Sequence, residues 1–190
     1  MKRTRWIASA AAAALVLVSW AAAQTHGVPE DFTAVAIAND ELGAGAGRID
    51  IRITRWSTDA ERQRLVTTLR EKGPRAALDA LIDMRPVGTI KTPDSLAYDL
   101  RYAHQTPLEE GGRQIVFATD RPIGFWEAAN RPRTIEYPFV VGQMQIGPDN
   151  EGKGTLSYAA KVRAYGDIIE LENFSISPIM LTKITAQQQR

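Results

Sequence analysis

The stretch LAYDLRYAH, Leu96 to His104, alternates between two sets of residues at every step. Leu96, Tyr98, Leu100, Tyr102 and His104 fall on one face of an extended chain. Ala97, Asp99, Arg101 and Ala103 fall on the other. A period of two marks a half-buried β-strand, because successive side chains point to opposite faces of a sheet. Working outward, the same period recurs in GRIDIRITRW (47–56), where Ile49, Ile51 and Ile53 oppose Arg48, Asp50 and Arg52. FTAVAIAND (32–40), VGTIKT (87–92), RQIVFAT (113–119), TIEYPFVVGQMQIG (134–147), GTLSYAAKVRAYG (154–166), IIELENFSI (168–176) and IMLTKI (179–184) read as further strands. Within 134–147, Ile135, Tyr137, Phe139 and Val141 keep one phase while Met144 and Ile146 keep the other. That change predicts a β-bulge near Val141-Gly142.

The period changes once. Thr58-Asp59-Ala60-Glu61 has the form of a capping box and predicts a helix to about Lys72 that buries Leu65 and Leu69. Gly73 ends it, and Pro74 suits the first turn of a second helix to about Met84, with Leu78, Leu81 and Ile82 inward. DELGAGAG (40–47) reads as a flexible connection, since no Lys-Ser/Thr follows to make a phosphate loop. Most turns between strands are short, which favours antiparallel neighbours. The expectation is an α+β domain: a mostly antiparallel β-sandwich or partly closed β-barrel of about eight or nine strands with an inserted helical pair.

Residues 1–23 have the layout of a secretory signal peptide. Lys2, Arg3 and Arg5 precede an apolar run from Ile7 to Trp20, with cleavage expected after Ala23. The run falls short of the ~20 residues that span a bilayer. The expected organisation is then a loose leader at 24–31, one β-rich domain at 32–185 and a frayed tail at 186–190. A periplasmic or extracellular location follows, with no membrane insertion after cleavage. Removing three of the 23 basic residues with the leader leaves 20 against 22 acidic ones, a charge of about −2. No nucleic-acid partner is indicated by that balance.

The chain has no cysteine, which excludes disulfides, thiol nucleophiles and thiolate metal sites. Its two histidines, His26 and His104, are too few for a typical zinc site. No Gly-x-Ser-x-Gly elbow occurs, and no serine has a recognisable base beside it. No catalytic residue, metal or cofactor is therefore assigned. The remaining enzymatic alternative is a carboxylate-dependent hydrolase using Asp120 and Glu127. Against it, Arg121, Arg131 and Arg133 lie close in sequence and favour ionised carboxylates, whereas a general acid needs a raised pKa.

Binding is the leading expectation. Tyr98, Tyr102 and His104, on one strand face, are candidates to line a ligand pocket. Their alternative role is ordinary core packing with the hydroxyls satisfied. Arg121, Phe125 and Trp126, within TDRPIGFWEAANRPR (119–133), are candidate contacts for an envelope protein partner. A structural or assembly role in the envelope is the third alternative.

From Arg55 onward the chain resembles a family of exported bacterial proteins without an assigned activity. RWSTDAERQRLVTTL, VGTIKTPDSLAYDLRYAHQTPLEEGGRQIVFATDRPIGFWEAANRPRTIEYPF and the strand after Lys153-Gly154 carry the resemblance, in that order. It implies an exported domain and transfers no functional residue.

Overall fold

The computed structural model describes residues 27–40, 43–93, 96–109, 111–120, 140–157, 160–165, 168–173 and 178–189. The alternating segments form β1 (Glu30–Asp40), β2 (Gly43–Ile53), β3 (Gly88–Lys91), β4 (Tyr98–Leu100), β5 (Tyr102–Pro107), β6 (Arg113–Thr119), β7 (Val140–Ile146), β8 (Glu151–Ser157), β9 (Ala160–Tyr165), β10 (Ile168–Asn173) and β11 (Ile179–Gln188). A helix, α1 (Asp59–Ile82), separates β2 from β3. Nine strands make one sheet in the order β4-β3-β2-β1-β11-β8-β7-β6-β5, and β10 pairs with β9 in a separate ribbon. All these pairings are antiparallel.

The sheet is nearly closed into a barrel. Its two edge strands, β4 and β5, follow one another in the chain with only Arg101 between them. The Arg101 N–H donates to the Ala118 carbonyl (2.9 Å), so the passage itself is pinned to β6. Part of the outer edge of β5 is covered by Ser57, whose N–H donates to the Ala103 carbonyl (2.7 Å) and whose hydroxyl accepts from the Ala103 N–H (3.1 Å). Among the described residues the nine strands form one curled sheet rather than the two packed sheets of a sandwich.

Inward residues fill the barrel. Phe32, Ile51, Ile90, Ile115, Phe117 and Met144 are almost wholly buried in a single cluster. A barrel of this strand number is narrow enough for side chains to fill it. The Phe117 ring lies over Gly142, where an added Cβ would sit 2.0 Å from the ring.

A second cluster lies outside the barrel. Leu65, Leu69, Ala77 and Leu81 of α1 pack on Tyr102, Ala118 and Val141 of the sheet. The predicted capping box starts this helix: the Glu61 N–H donates to the Thr58 hydroxyl (3.2 Å) and the Thr58 N–H to Glu61 Oε2 (2.8 Å).

Several expectations change. The inserted helical pair is one helical element. Gly73 leaves helical geometry (φ 81°), but the helix resumes at once with Pro74 in a first-turn position, so no loop separates two helices. Ile82, expected inward, is exposed. The glycines of DELGAGAG are strand: β2 begins at Gly43 and pairs with β1 from there to Ile53. No register shift occurs at Val141-Gly142; β7 pairs evenly with β6 from Val140 to Ile146 and with β8 from Val141 onward. Val140 faces the barrel core and Val141 faces α1, so apolar residues on two buried faces imitate a phase change. The register shifts fall in β1 between Thr33 and Val35 and in β11 between Leu181 and Ile184, where Lys183 has φ 50°. Within the segments read as a loose leader and a frayed tail, residues 30–31 and 186–188 are strand. Pro29 accepts from the Gln189 N–H (3.0 Å), and Glu30 faces Gln188 across the β1–β11 ladder.

Gly142→Ala is expected to destabilise the protein by about 1–3 kcal/mol through overpacking against Phe117. The urea unfolding midpoint checks this, and an unchanged midpoint would show that the ring relocates without cost.

Candidate functional site

The face shared by Tyr98, Tyr102 and His104 in the sequence does not survive folding. Tyr98 and Leu100 associate with the barrel core, and so does Ala103. Tyr102 belongs to the cluster beneath α1. The side-chain phase therefore slips by one residue at Arg101, where the chain leaves one edge of the sheet for the other. Such a slip moves every later side chain to the opposite face. Tyr98 is on the inner surface, while Tyr102 and His104 are on the outer one.

Tyr102 and His104 do meet, with their rings stacked at 6.4 Å between centroids and 7° between planes. His104 Nε2 lies 3.2 Å from Asp59 Oδ1 in the first turn of α1. Burial pushes the Tyr102 phenol well above its usual range; Arg62 opposes the shift, while Asp59 and Glu61 add to it. A phenol kept neutral in this way packs the helix onto the sheet and offers no phenolate for chemistry. The neighbouring Glu61 carboxyl feels burial first, which would raise it. The Arg55 hydrogen bonds and the Thr58 N–H outweigh that, and its pKa is lowered.

The two ends of the barrel differ. At one end Glu30 and Arg113, both in the inward phase of their strands, form a bidentate ion pair at 2.6 and 2.8 Å. Gln105 Oε1 accepts from the same guanidinium (3.1 Å), and the Glu30 side chain is only 2% exposed. The segment Gly27–Pro29 crosses this end, where Trp56 Nε1 donates to the Val28 carbonyl (3.0 Å). The functional candidates missed Glu30 and Arg113. Their signal was present: each carries a charge in the phase of its strand's apolar residues, Phe32 and Ile115, and the charges are opposite.

The other end carries small inward residues. Ala36 pairs with Gly47 and Ala38 with Gly45 across β1 and β2. Ala38 and Tyr98 are only partly buried where they meet the core. The Tyr98 hydroxyl has no hydrogen-bond partner among the described residues. The chain between β6 and β7 and the chain between β8 and β11 both depart from this end.

Asp120 stands just after β6, buried, with Oδ1 3.7 Å from Arg101 Nε. That distance is too long for a hydrogen bond, and neither atom has a hydrogen-bond partner. Arg101 also donates to the Met84 carbonyl (3.2 Å) and pairs with Asp99 (3.4 Å). Glu127, the other carboxylate of the hydrolase alternative, lies outside the described residues, as do Arg121, Phe125 and Trp126. Among the described residues no cluster of three His, Asp or Glu side chains could hold a metal ion. No helix among them is long and apolar enough to cross a membrane. No protein-family profile, curated protein or solved structure matches the chain.

Two outcomes follow from this geometry. Glu30→Gln leaves a mostly buried guanidinium without its counter-charge and is expected to cost about 3 kcal/mol in urea unfolding. A cost below that of an exposed ion pair would remove the role given to this pair. The Glu61 carboxyl has a lowered pKa in the folded state, so its stabilisation is present above its unfolded value, about 4.3. It is lost as pH falls through the folded value. The stability difference between the parent protein and Glu61→Gln is thus expected to be constant near neutrality and to shrink below about pH 4.3. Melting temperatures across that range test the sign.

Proposed function

We propose that this chain is an exported, non-enzymatic β-rich protein of the periplasm or cell exterior, and that it binds a small ligand at the open end of its barrel. The observation that carries the reading is the half-buried, inward Tyr98, whose hydroxyl has no partner among the described residues, together with the small residues Ala36, Ala38, Gly45 and Gly47 in the inward phase of β1 and β2. A phenol in that setting offers an aromatic surface and one hydrogen bond, which suits a largely apolar ligand with a single polar group. The opposite end is closed by Glu30, Arg113 and Trp56, which leaves one mouth. Long connections leaving from that mouth support the same reading, since binding residues concentrate on loops carried by a rigid scaffold.

Tyr102 and His104 act as packing residues beneath and beside α1 in this reading. Arg121, Phe125 and Trp126 belong to the connection after β6 and are the proposed contacts for an envelope partner or for the ligand itself. Export rests on the basic-then-apolar leader at 1–23. The carboxylate hydrolase is disfavoured by the setting of Asp120, whose carboxylate faces the Arg101 guanidinium.

Uptake of the apolar fluorophore N-phenyl-1-naphthylamine tests the site. The parent protein is expected to bind it at one equivalent. Ala38→Leu, which fills the mouth, and Tyr98→Ser are each expected to weaken binding about tenfold while the unfolding midpoint of Ala38→Leu is retained. Unchanged uptake by both variants would overturn the open-end site.

A further inference from the structure

The outer wall over β1, β2 and β3 holds a surface cleft of about 440 Å³, separate from the barrel mouth. Side chains on the outward phase of these strands build it. Thr33 and Thr89 supply hydroxyls, and Arg48, Arg52 and Lys91 supply cations around them. The volume falls within the range of about 300–1,000 Å³ in which small-molecule sites occur.

The charges do not cancel. Arg52 Nε bonds Asp31 (2.8 Å), and that contact raises its pKa further. Arg48 bonds Asp50 (2.8 Å), its neighbour two residues along the same strand. Asp50 stands directly opposite Lys91 in the β2–β3 ladder, yet Arg48 occupies it. Lys91 has no ion-pair or hydrogen-bond partner among the described residues, so the cleft holds three cations against two carboxylates.

The arginine heads are also available. Their side chains are 63% and 62% exposed, and ion pairs in that setting are weakly held because water screens them, so a ligand can recruit them at little cost. The one aromatic residue at the cleft, Phe32, is buried in the barrel core, so it offers no stacking face to a nucleobase and the site suits a saturated polar molecule.

We infer that this cleft binds a small hydroxylated anion, a sugar acid or sugar phosphate, whose charge sits between Lys91 and Arg48 and whose hydroxyls meet Thr33 and Thr89. The anion is held by charge-assisted hydrogen bonds, which are stronger than those between neutral groups. Binding weakens with added salt because the whole site is open to solvent.

Amide shifts of the isotope-labelled protein, titrated with D-glucuronate, glucose 6-phosphate and glucose, test the assignment. One or both anions are expected to shift the amides around Arg48, Thr89 and Lys91 and to bind about tenfold more tightly than glucose. Which anion binds more tightly separates carboxylate from phosphate. Lys91→Gln is expected to lose that preference and Lys91→Arg to keep it. The assignment is overturned by glucose binding as well as either anion, by shifts elsewhere on the surface only, or by Lys91→Gln binding like the parent. Lys91 is exposed at the outer cleft whereas Ala38 packs against the barrel core, so Ala38→Leu is expected to leave anion binding unchanged. The two sites therefore succeed or fail separately.

Discussion

The passage of the chain through Arg101 is the constraint on which the rest of the structure depends. An antiparallel sheet of nine strands has two edges, each presenting unpaired backbone groups. Here the edges are β4 and β5, and one residue joins them. Leu100 accepts from Val87 on one side of that residue, and Ala103 is paired to Ser57 on the other. Arg101 itself donates its N–H to Ala118. Its guanidinium then reaches the Met84 carbonyl, just past the end of α1, and faces Asp99 and Asp120. A single residue thus draws the sheet edges together and ties the closure to the helix.

Closure in this manner dictates what the two surfaces of the wall must be. Because the side-chain phase slips at Arg101, Tyr102 turns outward as an apolar residue on the outside of the barrel. Ala118 and Val141 share that outer surface, and α1 covers all three. The opposite part of the wall carries no helix among the described residues and is charged: Arg48, Asp50, Arg52 and Asp31 point to solvent and form two ion pairs. The distribution follows from burial, since an apolar outer face needs a cover and a charged one cannot accept it without large desolvation.

The ends are separated by the same logic. A carboxylate and a guanidinium placed in the inward phase of β1 and β6 must meet inside the barrel, and Glu30 and Arg113 do so across its closed end. Glycine and alanine stand in the inward phase of β1 and β2 toward the other end. The binding surfaces proposed for this protein lie at that mouth and on the charged wall.

Much of this architecture was legible before folding was considered. The alternation of Ile49, Ile51 and Ile53 placed β2 and its inward face, and Thr58 with Glu61 located the start of α1. These are local matters, set by a period of two or by hydrogen bonds three residues apart. The glycines before Arg48 could not declare themselves as strand, because their conformation is chosen by pairing with β1. Val140 and Val141 imitated a bulge because alternation disappears where both faces of a strand are buried. The sequence by itself determined that Leu96 to His104 is extended and which residues alternate within it. Only the tertiary structure decided that Tyr98 faces the barrel interior and Tyr102 the helix. A period of two carries phase but no direction, and the one-residue slip at Arg101 exists only because two distant edges of one sheet meet there.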